Sequence, residues 1–372
     1  MDIVDIKAIT HQVLWLTFIG TALLGALMQK TGFCTMGAVS DYFIMSRTTR
    51  LKQWFLAIGV AILGVASMSF FGLIDTTKTI YTASRFLYLS TIFGSILFGI
   101  GMVLASGCGS KTLVRIGGGN LKSVVVFLIL GLTAYMTLKG FLGVLRVNSF
   151  DTFFVTFNTP QDLPSLLAGN LNIDKKYLHI LLAVVIGGCF LIYSLNGKES
   201  RDFENLFAGI GVGLSICVVW WVSGCLGHIA EDPNTLEEIY VATNSGRMES
   251  LSFVSPYAYT LDWLMLYSDT SKTLTIGIAA VIGMITGSSI SSLIFKTFRW
   301  ESFRDVEDTG NHFIGAVLMG FGGVTALGCT IGQGLSGIST LAISSFLALP
   351  GYIFGAYIGV RYLQWRLAPN PC

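Results

Sequence analysis

Nine stretches of this chain are each apolar for long enough to cross a lipid bilayer, and this constrains every other reading. A spanning helix needs roughly 17–25 mostly apolar residues. The stretches cover residues 12–29, 54–74, 87–105, 121–141, 177–195, 206–222, 274–295, 312–327 and 341–363, the eighth being short. Only 12% of the residues are charged and 53% are hydrophobic, for a mean hydropathy of +0.70. A soluble domain carries about 25% charged residues. Soluble, disordered, collagenous and disulfide-scaffold classes are therefore excluded. The expected class is an all-α polytopic membrane protein embedded in the lipid bilayer, with about nine transmembrane helices and short re-entrant helices. Asp2 and Asp5 with only Lys7 do not form the basic n-region of a cleavable signal, so the run from Val13 to Met28 reads as a retained first span.

Nine spans place the termini on opposite sides. With the N-terminus outside, 14 of the 23 Lys and Arg residues fall on inner segments, among them Lys30, Arg50, Lys111, Arg115, Lys198, Arg299 and Arg366. The positive-inside rule thus predicts an N-terminus outside and a C-terminus inside. No basic block is long enough to suggest nucleic acid. Seven cysteines with no C-x-x-C pair argue against a zinc site or a disulfide framework, and no metal or cofactor is expected. His228 with Glu231 and Asp232 reads as a solvated loop. Gly332 to Gly337 matches G-x-G-x-x-G, but a membrane span precedes it where a dinucleotide site needs a strand.

An internal repeat organises the chain. Residues 94–108 (GSILFGIGMVLASGC) and 315–329 (GAVLMGFGGVTALGC) are identical at eight of fifteen positions, including Gly94/Gly315, Gly101/Gly322 and Cys108/Cys329. Unrelated apolar segments would agree at roughly one or two. A weaker correspondence joins Gly20 to Cys34 with Gly211 to Cys225. Each half then reads span, Gly-flanked Cys, span, span, Gly-flanked Cys, span. The chain is expected to form one transmembrane domain over 1–372, with repeat one at about 12–141, a connector helix at about 177–195, repeat two at about 206–363 and an external loop at about 223–273. The single connector span turns the second half upside down, a design that puts a site near the midplane at broken helices. The aromatic stretch from Phe253 to Tyr267 in the external loop reads as an interfacial helix.

The segments after Cys34, Cys108 and Cys329 are too short to span and too polar for lipid, so they are expected to be re-entrant and to line a cavity. Cys225 is a candidate fourth. Cys189, Cys217 and Cys372 read as small apolar packers. A half-helix starting after each site cysteine would aim free N–H groups toward it, an arrangement that favours anions. The helix dipole contributes roughly 0.3–2 kcal/mol, against several kcal/mol to bury an ion. Other groups must therefore help; the nearby candidates are Thr35, Ser110, Lys111, Arg115, Thr330 and Gln333. Lys111 and Arg115, four apart, share a helical face. A neutral thiol is a weak donor and acceptor, which suits transit of a soft, polarizable anion that must also leave.

The stretches GFCTMGAVSD (32–41), SGCGSKTLVRIGGGNLKS (106–123) and GCTIGQGLSGISTLAISS (328–345) resemble the signature segments of the YeeE/YedE sulfur-transport family. The resemblance covers most of the chain. It implies a bacterial inner-membrane protein that imports thiosulfate, hourglass-shaped, with nine spans plus re-entrant helices. It further implies that Cys34, Cys108 and Cys329 relay the anion through S–H···S hydrogen bonds, and that a small cytosolic sulfur-carrier protein is a partner. A role in selenium chemistry in one branch makes a selenium species an alternative substrate. A membrane thiol oxidoreductase or sulfurtransferase using Cys108 or Cys329 as nucleophile is the other alternative; it needs an activating base or a resolving thiol.

Overall fold

The computed structural model describes residues 6–171, 174–197, 199–232 and 236–367. Asp2, Asp5, Lys198 and Cys372 lie outside the described residues. The chain is a bundle of helices: α1 (Ile6–Thr31), α2 (Thr35–Met45), α3 (Thr49–Phe70), α4 (Tyr88–Leu104), α5 (Gly109–Gly117), α6 (Leu121–Lys139), α7 (Phe141–Ser149), α8 (Leu163–Leu171), α9 (Lys175–Ser194), α10 (Phe203–Trp221), α11 (Ser255–Met265), α12 (Ile276–Ile294), α13 (Val306–Thr325) and α14 (Ile343–Leu367). Two strand pairs of two residues each are the sheet content of the described residues. The apolar composition and the helices agree: this is an all-α polytopic membrane protein.

Eight helical segments among the described residues are long and apolar enough to cross a membrane. The ninth expected span, 312–327, falls in α13, whose first turns carry Glu307, Asp308 and His312. It is therefore too polar at its start to qualify by composition, yet it packs between α4 and α6. Asp305 caps it by accepting the Asp308 N–H at 2.7 Å, and Lys122 on α6 pairs with Asp308 at 2.6 Å.

The first helix of each repeated stretch ends the same way. Ser106 and Leu327 both take left-handed backbone, with φ of 55° and 59°. Gly107 N–H then bonds Met102 O at 2.8 Å, and Gly328 N–H bonds Gly323 O at 2.8 Å. These are Schellman caps, which satisfy carbonyls freed at a helix end. The chain is thereby turned back just before Cys108 and Cys329, at a point where lipid could satisfy nothing.

α4 and α13 cross in backbone contact at glycines. A Cβ at Gly94 would lie 2.6 Å from Gly322 O, and one at Gly322 would lie 2.6 Å from Gly94 O. Gly101 and Gly315 meet in the same reciprocal way, at 2.6 and 2.7 Å. In sequence Gly94 aligns with Gly315 and Gly101 with Gly322; in space the partners are exchanged. That exchange is the geometry of two helices that cross antiparallel. The surrounding packing follows suit: α14 covers α4 as α6 covers α13, and α1 packs on α12 as α3 packs on α10.

The ion pairs divide into two sets. Arg50–Asp41 (3.2 Å), Lys122–Asp308 and Arg366–Glu307 (3.0 Å) join segments expected on the inner side. Lys78–Glu238 (2.5 Å), Arg146–Asp151 (3.1 Å), Lys175–Asp162 (3.7 Å) and Lys272–Asp262 (2.7 Å) join segments expected outside. Among the described residues no ion pair joins one set to the other.

Two expectations for the 223–273 stretch are corrected. Cys225 is exposed and sits in a π-helical turn, Val222–Leu226, that continues α10. A short strand at His228–Ile229 follows it, so no half-helix starts there. The aromatic helix is buried in the bundle over its first turns and exposed at its end. It is α11, which packs on α6 and α12 and carries the fully buried Tyr257, with Phe253 buried just before it. α11 is reached after a long connection from α10 and is preceded by Val254 rather than a cysteine.

The glycine crossing makes a testable claim. Gly315→Ala places a methyl against Gly101 O and should destabilise the fold by about 1–3 kcal/mol. Gly310→Ala on the same helix meets nothing within 4 Å and should be neutral or stabilising by up to about 1 kcal/mol. Thermal unfolding of the detergent-solubilised variants checks this; equal shifts would remove the crossing from the account of stability.

Candidate functional site

The three cysteines expected to act together begin as helix-start residues. Cys34 caps α2, with Sγ accepting the Gly37 N–H at 3.4 Å. Cys108 stands at the N-cap of α5, its Sγ beside the Lys111 N–H and 3.4 Å from Ser110 Oγ. Cys329 Sγ accepts the Gly332 N–H at 3.3 Å, just ahead of a π-helical turn, Gly332–Gly337. α2 has eleven residues and α5 nine, so at 1.5 Å per residue neither reaches across a hydrocarbon core of about 30 Å.

These helix starts converge. Cys34 and Cys108 are direct side-chain neighbours, and Cys329 lies within electrostatic reach of Cys108. All three thiols are free. Cys108 and Cys329 have no exposed surface, and Cys34 is 7% exposed. The groups brought together are therefore soft, weakly hydrogen-bonding and sealed from water.

Of the polar candidates, Ser110 and Thr330 sit against Cys108. Thr330 Oγ1 faces that thiol but meets no group in hydrogen-bond geometry, and Thr35 Oγ1 is likewise unpartnered. Leaving such a buried hydroxyl unpaired costs roughly 1–3 kcal/mol. Lys111 is half-buried and lies within electrostatic reach of Cys34 and Cys108, with Arg50 and Arg115 also nearby. Gln333 is placed differently from the expectation. Its amide donates to Ala326 O at 2.7 Å and accepts from Ser345 Oγ at 2.5 Å, so it ties the turn after Cys329 to α13 and α14. Cys225 is outside the cluster.

A ring of tyrosines completes the cluster, and the sequence reading passed over it. Tyr257 lies near Cys108 and Cys329 and donates its hydroxyl to Gly109 O. Tyr352 donates to Gly328 O at 2.8 Å, and Tyr81 also lies near Cys329. Each bonded tyrosine holds the backbone beside a site cysteine. The usable signal was the polar tip of an aromatic in an otherwise apolar run.

A cavity of about 110 Å³ opens toward the outer loop segments. It is lined by Asn244, Ser245, Glu249, Ser252 and Tyr259 and reaches Tyr81 and Leu327, two residues before Cys329. The Glu249 carboxylate accepts the Ser245 N–H at 2.9 Å and the Ser245 hydroxyl at 2.6 Å. Burial pushes its pKa above the ordinary carboxylate range, with Tyr81 and Tyr259 as its neighbours.

The sulphur transport family profile matches residues 30–358. The thiosulfate transporter TsuA of Escherichia coli (strain K12) is 27% identical over 340 residues, 90% of each chain. The protein of the same name from Spirochaeta thermophila is 26% identical over 355 residues, 92% of this chain and 96% of the relative.

The burial pattern predicts reactivity. A polar maleimide should modify Cys225 in the folded, detergent-solubilised protein and leave Cys108 and Cys329 untouched until unfolding. Peptide mass mapping reads this directly, and rapid modification of Cys108 in the folded state would contradict a sealed cluster.

Proposed function

The chain belongs to the sulphur transport family, and from that premise we propose that it imports thiosulfate across a bacterial inner membrane. The observation that carries the reading is the convergence of Cys34, Cys108 and Cys329 from three helix starts into one sealed cluster. Thiosulfate is a dianion with a soft terminal sulfur. Neutral thiols can exchange weak S–H hydrogen bonds with that sulfur in turn, so that no station holds the anion too tightly to release it.

On this reading the path starts at the outer cavity, passes Tyr81 to Cys329, then Cys108 and Cys34, and leaves past Lys111 and Arg115. The two halves act as inverted repeats about the α4–α13 crossing, with the N-terminus periplasmic and the C-terminus cytoplasmic. Lys111 supplies the charge compensation that helix dipoles of at most about 2 kcal/mol cannot. A small cytosolic sulfur-carrier protein is the proposed recipient of the imported sulfur.

Labelled thiosulfate uptake into proteoliposomes tests the path. Cys108→Ser and Cys329→Ser should each lower uptake by about tenfold or more, equivalent to about 1.4 kcal/mol or more, with sulfate and selenite as competitors. Unimpaired uptake in both variants would reject the thiol relay. Persulfide on either cysteine after turnover, by intact mass, would assign sulfur transfer instead.

The outer cavity adds a pH prediction. An ionised Glu249 repels an arriving anion, whereas its protonated form does not. Because burial raises its pKa, neutralisation begins at a higher pH than for a free carboxylate, so uptake should rise as the outer pH falls. Glu249→Gln should flatten that profile; an unchanged profile in the variant would discard Glu249 as its source.

A further inference from the structure

We infer that Thr330 and Thr35 recognise the oxygen end of the transported anion, while the cysteines beside them recognise its terminal sulfur. The inference rests on the proposed transport of a sulfur oxyanion and adds how that anion is told apart from sulfur species without oxygen.

Cys34-Thr35 and Cys329-Thr330 are the two Cys-Thr dipeptides of the chain, one in each half. Both threonines are essentially fully buried, at 1% and 0% exposure. Other buried threonines here return their hydroxyl to a carbonyl of the preceding turn: Thr17 to Val13, Thr21 to Thr17, Thr137 to Thr133 and Thr325 to Phe321, at 2.7–2.8 Å. This back-bonding needs an upstream helical turn. Thr35 is the first residue of α2, and Thr330 stands in the turn before the π-helical segment, so neither has one. Position alone therefore leaves both hydroxyls without a partner.

A valine would fill the same volume with no polar atom to satisfy, so the hydroxyl costs stability unless something visits it. At Thr330 the visitor's place is defined, because Oγ1 faces the Cys108 thiol. Ser110 Oγ also stands at that thiol, 3.4 Å away. An anion at Cys108 thus meets one soft group accompanied by two hard O–H donors. Thiosulfate matches this pattern, with a polarizable sulfur at one end and oxygens at the other. Hydrosulfide offers only the soft end and leaves the hydroxyls unpaired, and a site with unpaired buried donors rejects such an analogue strongly.

The test compares binding of thiosulfate and of hydrosulfide to the purified full chain in detergent, with uptake of labelled thiosulfate into proteoliposomes in parallel. Thr330→Val and Thr35→Val should weaken thiosulfate binding by about tenfold each and leave hydrosulfide binding unchanged. Thr330→Ser, which restores the hydroxyl, should recover wild-type discrimination; a merely structural role would not give that recovery. Unfolding temperatures at or above that of wild type verify the near-isosteric variants as folded. Equal weakening for both anions, or no weakening, overturns the inference alone if the wild-type chain transports thiosulfate. Failure of the wild-type chain to transport it overturns the proposed function and this inference together.

Discussion

A peptide group inside a bilayer must find its hydrogen bond within the protein, since lipid offers none. The two helix breaks beside the site cysteines answer to that rule. Where α4 and α13 end at depth, Ser106 and Leu327 accept left-handed backbone, at roughly 1–2 kcal/mol each, so that Gly107 and Gly328 can close the Schellman bonds. Tyr257 and Tyr352 then bind the carbonyls of Gly109 and Gly328 on either side of the site cysteines. The thiols stand where they do because the backbone at those breaks has been fully provided for. Polar groups left over at the same place, the hydroxyls of Thr35 and Thr330, are conspicuous against that background.

The sequence was most legible where steric need leaves a mark. Gly94, Gly101, Gly315 and Gly322 repeat because two backbones cross too closely for any Cβ. The same segments end in Gly-Cys because the chain must turn before a new helix starts. Helix positions were legible for a related reason, since apolar runs in lipid have no alternative to helical hydrogen bonding. The structure departs from those positions where composition is ambiguous. α13 opens with Glu307 and Asp308; the Asp305 cap and Lys122 stabilise Asp308.

Other parts were written in a pattern that has two readings. The aromatic and hydroxyl residues from Phe253 to Tyr267 suit an interfacial helix as well as a buried one. The choice is made by α6 and α12, which are far from them in sequence. Gly224-Cys225-Leu226-Gly227 looks like a helix break, but α10 continues through it as a π turn. Gln333 reads as a lining residue, yet both ends of its amide are engaged by Ala326 and Ser345. In each case the local residues are compatible with either fate, and the tertiary partner decides.

The reciprocal glycine crossing of α4 and α13 has a kinetic consequence. Helices in backbone contact at two levels form a rigid waist, and close-packed interiors do not deform continuously. Hinging of one half against the other would have to break that waist, a collective event on the microsecond-to-millisecond scale. Passage that leaves the waist intact needs only local rotamer changes of small side chains beside it, without that collective event. A carrier built this way can sustain throughput closer to that of a narrow pore than to that of a rocking machine.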